Sequence, residues 1–74
     1  MKVRLLFFAA LREQMRQSEA EFEVASGVTV SELALQLFGS DRALLFAVNH
    51  DYVTRDYPIK AGDEIAFVPP VAGG

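Results

Sequence analysis

The stretch TVSELALQLFG, residues 29–39, sets the geometry that the rest of this chain must satisfy. Thr29 and Glu32 stand three residues apart. At that spacing a hydroxyl accepts from a free N–H of the first helical turn while the carboxylate reaches back to the capping residue's own N–H. Val30, Leu33, Ala34, Leu37 and Phe38 follow at the helical period, and Gly39 supplies the stop. The spacing predicts a helix over 30–38 with one apolar stripe. That stripe has to be buried, and the remaining chain offers it strands rather than a second helix of similar length.

The strands are written as alternation. In MKVRLLFF, Val3, Leu5 and Phe7 fall on one face; Lys2, Arg4, Leu6 and Phe8 fall on the other. Residues 9–17, AALREQMRQ, are good helix formers in a short run and predict a turn or brief helix, with Arg12 and Glu13 on its surface. In EAEFEVAS, residues 19–26, Phe22 and Val24 oppose Glu19, Glu21 and Glu23, which predicts a second strand antiparallel to the first, closed by Gly27. ALLFAVN (43–49) reads as a third strand. A turn at His50-Asp51 leads to a short element around Tyr52–Thr54, and Pro58 bars a central strand there. AGDE is a turn. EIAFV (64–68) is the last strand, with Ile65 and Phe67 on one face and Glu64, Ala66 and Val68 on the other. The order strand, strand, helix, strand, short strand, strand defines an α+β domain. With the last strand beside the first, it is a ubiquitin-like β-grasp: a mixed sheet with one main helix packed on one face and a protruding C-terminal tail.

Composition narrows the function classes. Seventy-four residues make one domain, 51% of them apolar, six of them Phe. A chain of this size buries only about 60–65% of its unfolded surface, so its core must be efficient. There is no Cys, hence no disulfide and no thiolate metal site, which fits a reducing cytoplasm. A lone histidine, His50, cannot build a metal site by itself, and in the turn NHDY it reads as solvated. Asp51 and Asp56 have the spacing of turn residues, and no paired-carboxylate site is written. The apolar run LLFFAAL is only seven residues long and is interrupted at once by Arg12 and Glu13. It is far too short to cross a bilayer and carries no cleavage signal, so it reads as a buried strand. The net charge of −3 and the scattered basic residues give no nucleic-acid footprint.

The end of the chain, FVPPVAGG, reads as a separate unit: a domain over 1–68 and an extended tail over 69–74. Pro69 and Pro70 lack an N–H and hold φ near −65°, so the strand ladder stops at Val68 and a polyproline course follows. Six residues reach at most about 20 Å. Val71 and Ala72 lead to Gly73 and Gly74, tapering the probe to backbone width, which suits a narrow tunnel. Ordering such a tail costs about 1–2 kcal/mol per residue, so a partner contact must offset it. Taken alone, a glycine end also fits a frayed terminus. At the tail's root, Phe8, Ala66 and Val68 lie on the face opposite the helix and are expected in solvent. They form a candidate docking patch, extended by Tyr52.

Several segments carry a family resemblance: VRLLFFAALRE at the start, AVN at 47–49, AGDEIAFVPPVAGG at the end, and the capped helix between them. Together they resemble the sulfur-carrying small subunits of molybdopterin synthase. Gly62-Asp63-Glu64, Pro69-Pro70 and Gly73-Gly74 are the most specific part. The resemblance implies that an E1-like enzyme uses ATP to adenylate the carboxylate of Gly74, and that a sulfurtransferase system converts it to a thiocarboxylate. The charged tail would then enter the large synthase subunit, in an assembly of two small and two large subunits. There sulfur passes to cyclic pyranopterin monophosphate, building the dithiolene that holds molybdenum or tungsten.

On this reading Gly74 is the chemical residue and Gly73 its slim neighbour. Val68, Pro69, Pro70, Val71 and Ala72 belong to the inserted segment, and Phe8 and Tyr52 dock. Val68 stands where a larger aromatic would grip more strongly. The chain binds no cofactor or metal and is no enzyme on its own. Neither nucleic acid nor membrane is a partner. Arg12 is a further candidate for partner contact. Other readings are a sulfur carrier for thiamine thiazole or tRNA thiolation, a ubiquitin-like protein modifier, or a binding module with an inert tail. Pro69-Pro70 and GDEIAF favour the molybdopterin carrier over the thiazole one.

Overall fold

Two strands from opposite ends of the chain lie side by side at the centre of the sheet. The computed structural model describes residues 1–8, 10–40 and 44–69. Its elements are β1 (Lys2–Phe7), α1 (Ala10–Met15), β2 (Glu19–Glu23), α2 (Val30–Phe38), β3 (Leu45–Val48), β4 (Asp51–Val53) and β5 (Glu64–Val68). The five strands form one mixed sheet in the order β2-β1-β5-β3-β4. β1 runs antiparallel to β2, with Val3 opposite Phe22, and parallel to β5, with Leu5 opposite Ile65 and Phe7 opposite Phe67. β3 is antiparallel to both β5 and β4, pairing Phe46 with Phe67 and Ala47 with Tyr52. The expected neighbourhood of first and last strands is therefore present, and the fold is the mixed-sheet, one-main-helix α+β arrangement.

The register carries every inward residue to one side. Val3, Leu5, Phe7, Phe46, Val48, Ile65 and Phe67 are all buried, and α2 contributes Val30, Leu33 and Ala34 to the same core. Phe67 is fully buried and is the hub of the aromatic packing. Its ring stacks on Phe7 at 6.5 Å between centroids and meets Phe38 at 5.3 Å and Phe46 at 6.0 Å edge-on. Each such pair adds about 0.5–1.5 kcal/mol beyond area burial. In a chain this short, that cluster supplies much of what a larger core would otherwise provide.

α2 begins and ends where its sequence signals stand. Thr29 Oγ1 accepts from the Glu32 N–H at 3.1 Å, and Glu32 Oε1 accepts from the Thr29 N–H at 2.9 Å, completing the capping box. Gly39 closes the helix in the left-handed region at φ 75°, its N–H donating to the Leu35 carbonyl. The first two helical N–H groups donate across to the connection between β4 and β5: Val30 to the Tyr57 carbonyl and Ser31 to that of Arg55, both at 3.0 Å. That connection, with Pro58 in an isolated bridge to Thr29, ties the helix start to the sheet.

The third strand is shorter than expected from 43–49. It covers Leu45–Val48; Ala43 lies outside the described residues. Asn49 leaves the strand at φ 52° and His50 follows at φ 75°, so these two form the tight turn into β4. Asparagine accepts the left-handed region more readily than most residues, and two consecutive positive φ values match the twist of an antiparallel hairpin. The element expected at 52–54 forms one residue earlier, as β4.

Candidate functional site

β1, β3 and β5 place alternate residues on the sheet face away from α2. Phe8 is 45% exposed there and Tyr52 72%. Together with Leu6, Ala47, Ala66 and Val68 they line a groove of about 260 Å³, with His50 and Glu64 completing its lining. The register explains the grouping: Leu6 lies opposite Ala66, and Ala66 opposite Ala47, which lies opposite Tyr52. Small residues in the middle strands form a floor, and the two aromatic side chains line it from β4 and the end of β1.

The predicted patch is therefore assembled, with one correction. Ala66 was expected in solvent, but it is buried at 9% exposure. Its methyl group is short, and Leu6 and Ala47 stand directly across from it on both neighbouring strands. Val68 and Pro69 are half-buried at the groove's end, where β5 stops. Pro70, Val71, Ala72, Gly73 and Gly74, which sequence reasoning placed in the inserted tail, lie outside the described residues. Arg12 is exposed on α1, away from the groove lining.

Sequence reasoning missed Leu45, which is 52% exposed and lies opposite Val68. The signal was present: if Phe46 and Val48 face the core, Leu45 and Ala47 must face outward. It also missed what AVN and GDE do together. Asn49 Nδ2 donates to Asp63 Oδ1 at 3.0 Å, and Asp63 Oδ2 accepts from the Lys60 N–H at 2.8 Å. Asn49 Oδ1 accepts from the Glu64 N–H at 3.0 Å, while the Asn49 N–H donates to the Glu64 carbonyl at 2.8 Å. Asp63 is buried and fully engaged. These residues form a clamp that fixes where β5 begins, and so where it ends at the tail.

His50 is solvated as expected, its side chain 85% exposed. Its Nε2 lies 3.3 Å from Glu64 Oε1, on the groove's rim. Asp56 accepts from the Thr54 hydroxyl, which holds its carboxyl below the ordinary aspartate range; it is a turn residue far from any other carboxylate contact described. Among the described residues no group of three or more His, Cys, Asp or Glu side chains is arranged to hold a metal ion. No helix among them is long and apolar enough to cross a membrane. The N-terminus of α2, a place where anions often bind, has its N–H groups engaged by Thr29, Tyr57 and Arg55. What the face offers is a largely apolar groove that reaches Val68, the last residue of β5.

This combination defines a ubiquitin-like β-grasp protein whose open sheet face carries a groove that reaches the end of β5. The chain belongs to the ThiS family, which it matches over residues 5–74. It is 34% identical over 83 aligned positions to the molybdopterin synthase sulfur carrier subunit of Chlamydomonas reinhardtii, covering all of both chains. To the subunit of the same name from Escherichia coli it is 40% identical over 81 positions, covering 97% of this chain and 99% of the relative. In fold it is similar to the crystal structure of SAMP1 from Haloferax volcanii, with a TM-score of 0.81, 22% identity and full coverage of both chains. It is also similar to a chain in the complex of subunits 1 and 2 of molybdopterin-converting factor from Helicobacter pylori, with a TM-score of 0.65, 23% identity and full coverage of both.

Proposed function

We propose that this chain is the sulfur carrier subunit of a cytoplasmic molybdopterin synthase, with Gly74 as the residue that bears the sulfur. The observation that carries this reading is the largely apolar groove that reaches Val68 at the end of β5, the last strand before the Gly73-Gly74 end of the sequence. The end-to-end match to curated sulfur carrier subunits supports it. So does the likeness to a subunit that is found in complex with its partner.

The chemistry follows from the poor electrophilicity of a carboxylate. An E1-like enzyme transfers AMP from ATP to the Gly74 carboxylate, releasing pyrophosphate. The persulfide of a sulfurtransferase then attacks the acyl-adenylate and displaces AMP, and a second thiol reduces the resulting acyl disulfide to release the thiocarboxylate. Its sulfur is a competent nucleophile at neutral pH. Inside the large subunit it attacks cyclic pyranopterin monophosphate, and hydrolysis of the resulting acyl–sulfur bond leaves sulfur on the pterin and returns the Gly74 carboxylate. Two such transfers make the dithiolene, which accords with two small and two large subunits in the assembly. The chain itself binds no cofactor and contributes no acid or base; Gly73, Ala72 and Val71 keep the inserted segment slender, and Phe8, Tyr52 and Val68 seat the domain.

The test is intact-mass analysis of the protein coexpressed with its activating enzyme and sulfurtransferase. The expected product has one oxygen replaced by sulfur, localised to Gly74 by fragmentation. Unmodified carboxylate as the sole species under those conditions overturns the reading.

A further inference from the structure

The open face is acidic as well as apolar, and its charges are not distributed evenly. Glu19, Glu21 and Glu23 on β2 and Glu64 on β5 share this face with Lys2 and Arg4 on β1. The register sets Lys2 opposite Glu23 and Arg4 between Glu21 and Glu64, and of these carboxylates Glu64 is the one that lines the groove. The chain as a whole carries −3.

The backbone of Glu64 is anchored at both of its polar groups. Its N–H and its carbonyl are both hydrogen-bonded to Asn49, which is anchored in turn by buried Asp63. Its side chain is only 25% exposed. Yet its two side-chain contacts are loose: Arg4 Nη1 at 3.7 Å, on a side chain 58% exposed, and His50 Nε2 at 3.3 Å, on one 85% exposed. His50 approaches from a backbone at φ 75°, a region that disfavours a non-glycine residue. Across the groove the Tyr52 ring stands open to solvent. A carboxylate on an anchored backbone, with exchangeable side-chain partners, lining one groove with an exposed aromatic ring and an apolar floor, matches one side chain well. A guanidinium can pair with the carboxylate and stack on the ring at once.

We propose that the groove recognises a partner segment that presents an arginine next to an apolar side chain, with Glu64 reading the guanidinium and Tyr52 stacking on it. Arg4 and His50 hold Glu64 in the free protein and are displaced on docking. This inference rests on the carrier reading above and assigns the occupant to the large synthase subunit.

Titration of the purified large subunit against the wild-type domain, at low and high salt, tests both readings separately. Wild-type binding should weaken as salt rises, because screening attenuates a charge pair at an interface rim. Glu64→Gln should bind about tenfold more weakly at low salt and lose most of that salt dependence. Arg4→Gln should bind about threefold more tightly, since it removes a competitor for Glu64. Thermal melting of each variant verifies the fold.

Opposite signs for the two substitutions support the proposal. If Arg4→Gln weakens binding as Glu64→Gln does, the pair is structural and the proposal is overturned. Unchanged affinity and salt slope in Glu64→Gln also overturn it while leaving the carrier reading intact. If the wild-type domain does not bind the large subunit, or pairs only with a second copy of itself in sedimentation, both readings fall.

Discussion

The two faces of this sheet are built from the same strands by alternate residues, yet they answer to different demands. On the covered face Val3, Leu5, Phe7, Ile65 and Phe67 pack against α2 and one another, and none is more than 3% exposed. On the open face their immediate neighbours Arg4, Leu6, Phe8, Glu64 and Val68 retain access to solvent. Because side chains in a strand alternate with period two, a single substitution addresses one face and leaves the other nearly untouched. Folding information and docking information are interleaved along β1 and β5, and the covered face can be optimised without constraining what the open face meets.

The contrast is broken most forcefully at Phe67. Phe67→Ala removes the ring on which Phe7, Phe38 and Phe46 pack, and should destabilise the domain by about 3–5 kcal/mol. Against a typical total of about 5–15 kcal/mol, that leaves little folded protein in a denaturant titration. A loss below about 1 kcal/mol would mean that the covered face does not carry the fold.

Between the faces lies the clamp at the start of β5. Asp63→Ala leaves the Asn49 amide and the Lys60 N–H without their acceptor and should lower stability by about 1–3 kcal/mol. Urea unfolding measures it. A loss of partner affinity larger than the loss of stability would show that the clamp also positions the tail root.

On the open face the expected pattern reverses. Phe8→Asp should change stability by no more than about 0.5 kcal/mol, as surface substitutions generally do. Binding to the large subunit should fall by at least about tenfold, as for an aromatic anchor at an interface. Unchanged affinity in a titration would remove Phe8 from the interface and erase the contrast drawn here.

The sequence announced α2 nearly residue by residue because its signals are local: the Thr29–Glu32 box, the 3.6-residue period and Gly39. The limits of β5 were equally plain, since Glu64 follows a turn and Pro69 cannot continue a ladder. The grouping of residues on the open face was legible in outline from Phe8 and Val68. What escaped depended on strands distant in sequence. The burial of Ala66 needs Leu6 and Ala47 on either side, and the outward placement of Leu45 needs the pairing of β3 with β5. Asn49 reads as a strand residue until Asp63 and Glu64 are brought to it, and only then is the turn with its two positive φ values held in place. The nearness of His50 to Glu64 depends on the same long-range pairing. Pro70 to Gly74, expected from the resemblance to enter a partner, fall outside the described residues.

The smallest effect sharpens the comparison from outside both faces. Asp56 has its carboxyl lowered chiefly by the Thr54 hydroxyl, in a fully exposed turn. A group whose value falls on folding contributes stability that is present above its unfolded value and is lost as the pH drops through the folded one. Thr54→Val should therefore flatten the acid limb of the stability curve, in the range below the ordinary aspartate value, and leave neutral-pH binding unchanged. An acid limb identical to that of the wild type would show that the turn contributes nothing to folding.

The most direct test of the account is a single-turnover reconstitution. Thiocarboxylated protein is mixed with the large subunit and cyclic pyranopterin monophosphate, and both the pterin and the protein are followed by mass. The account predicts a dithiolene-bearing pterin, with Gly74 returned to a carboxylate in step with it. Binding of the two proteins with sulfur retained on Gly74 and no sulfur on the pterin would contradict it.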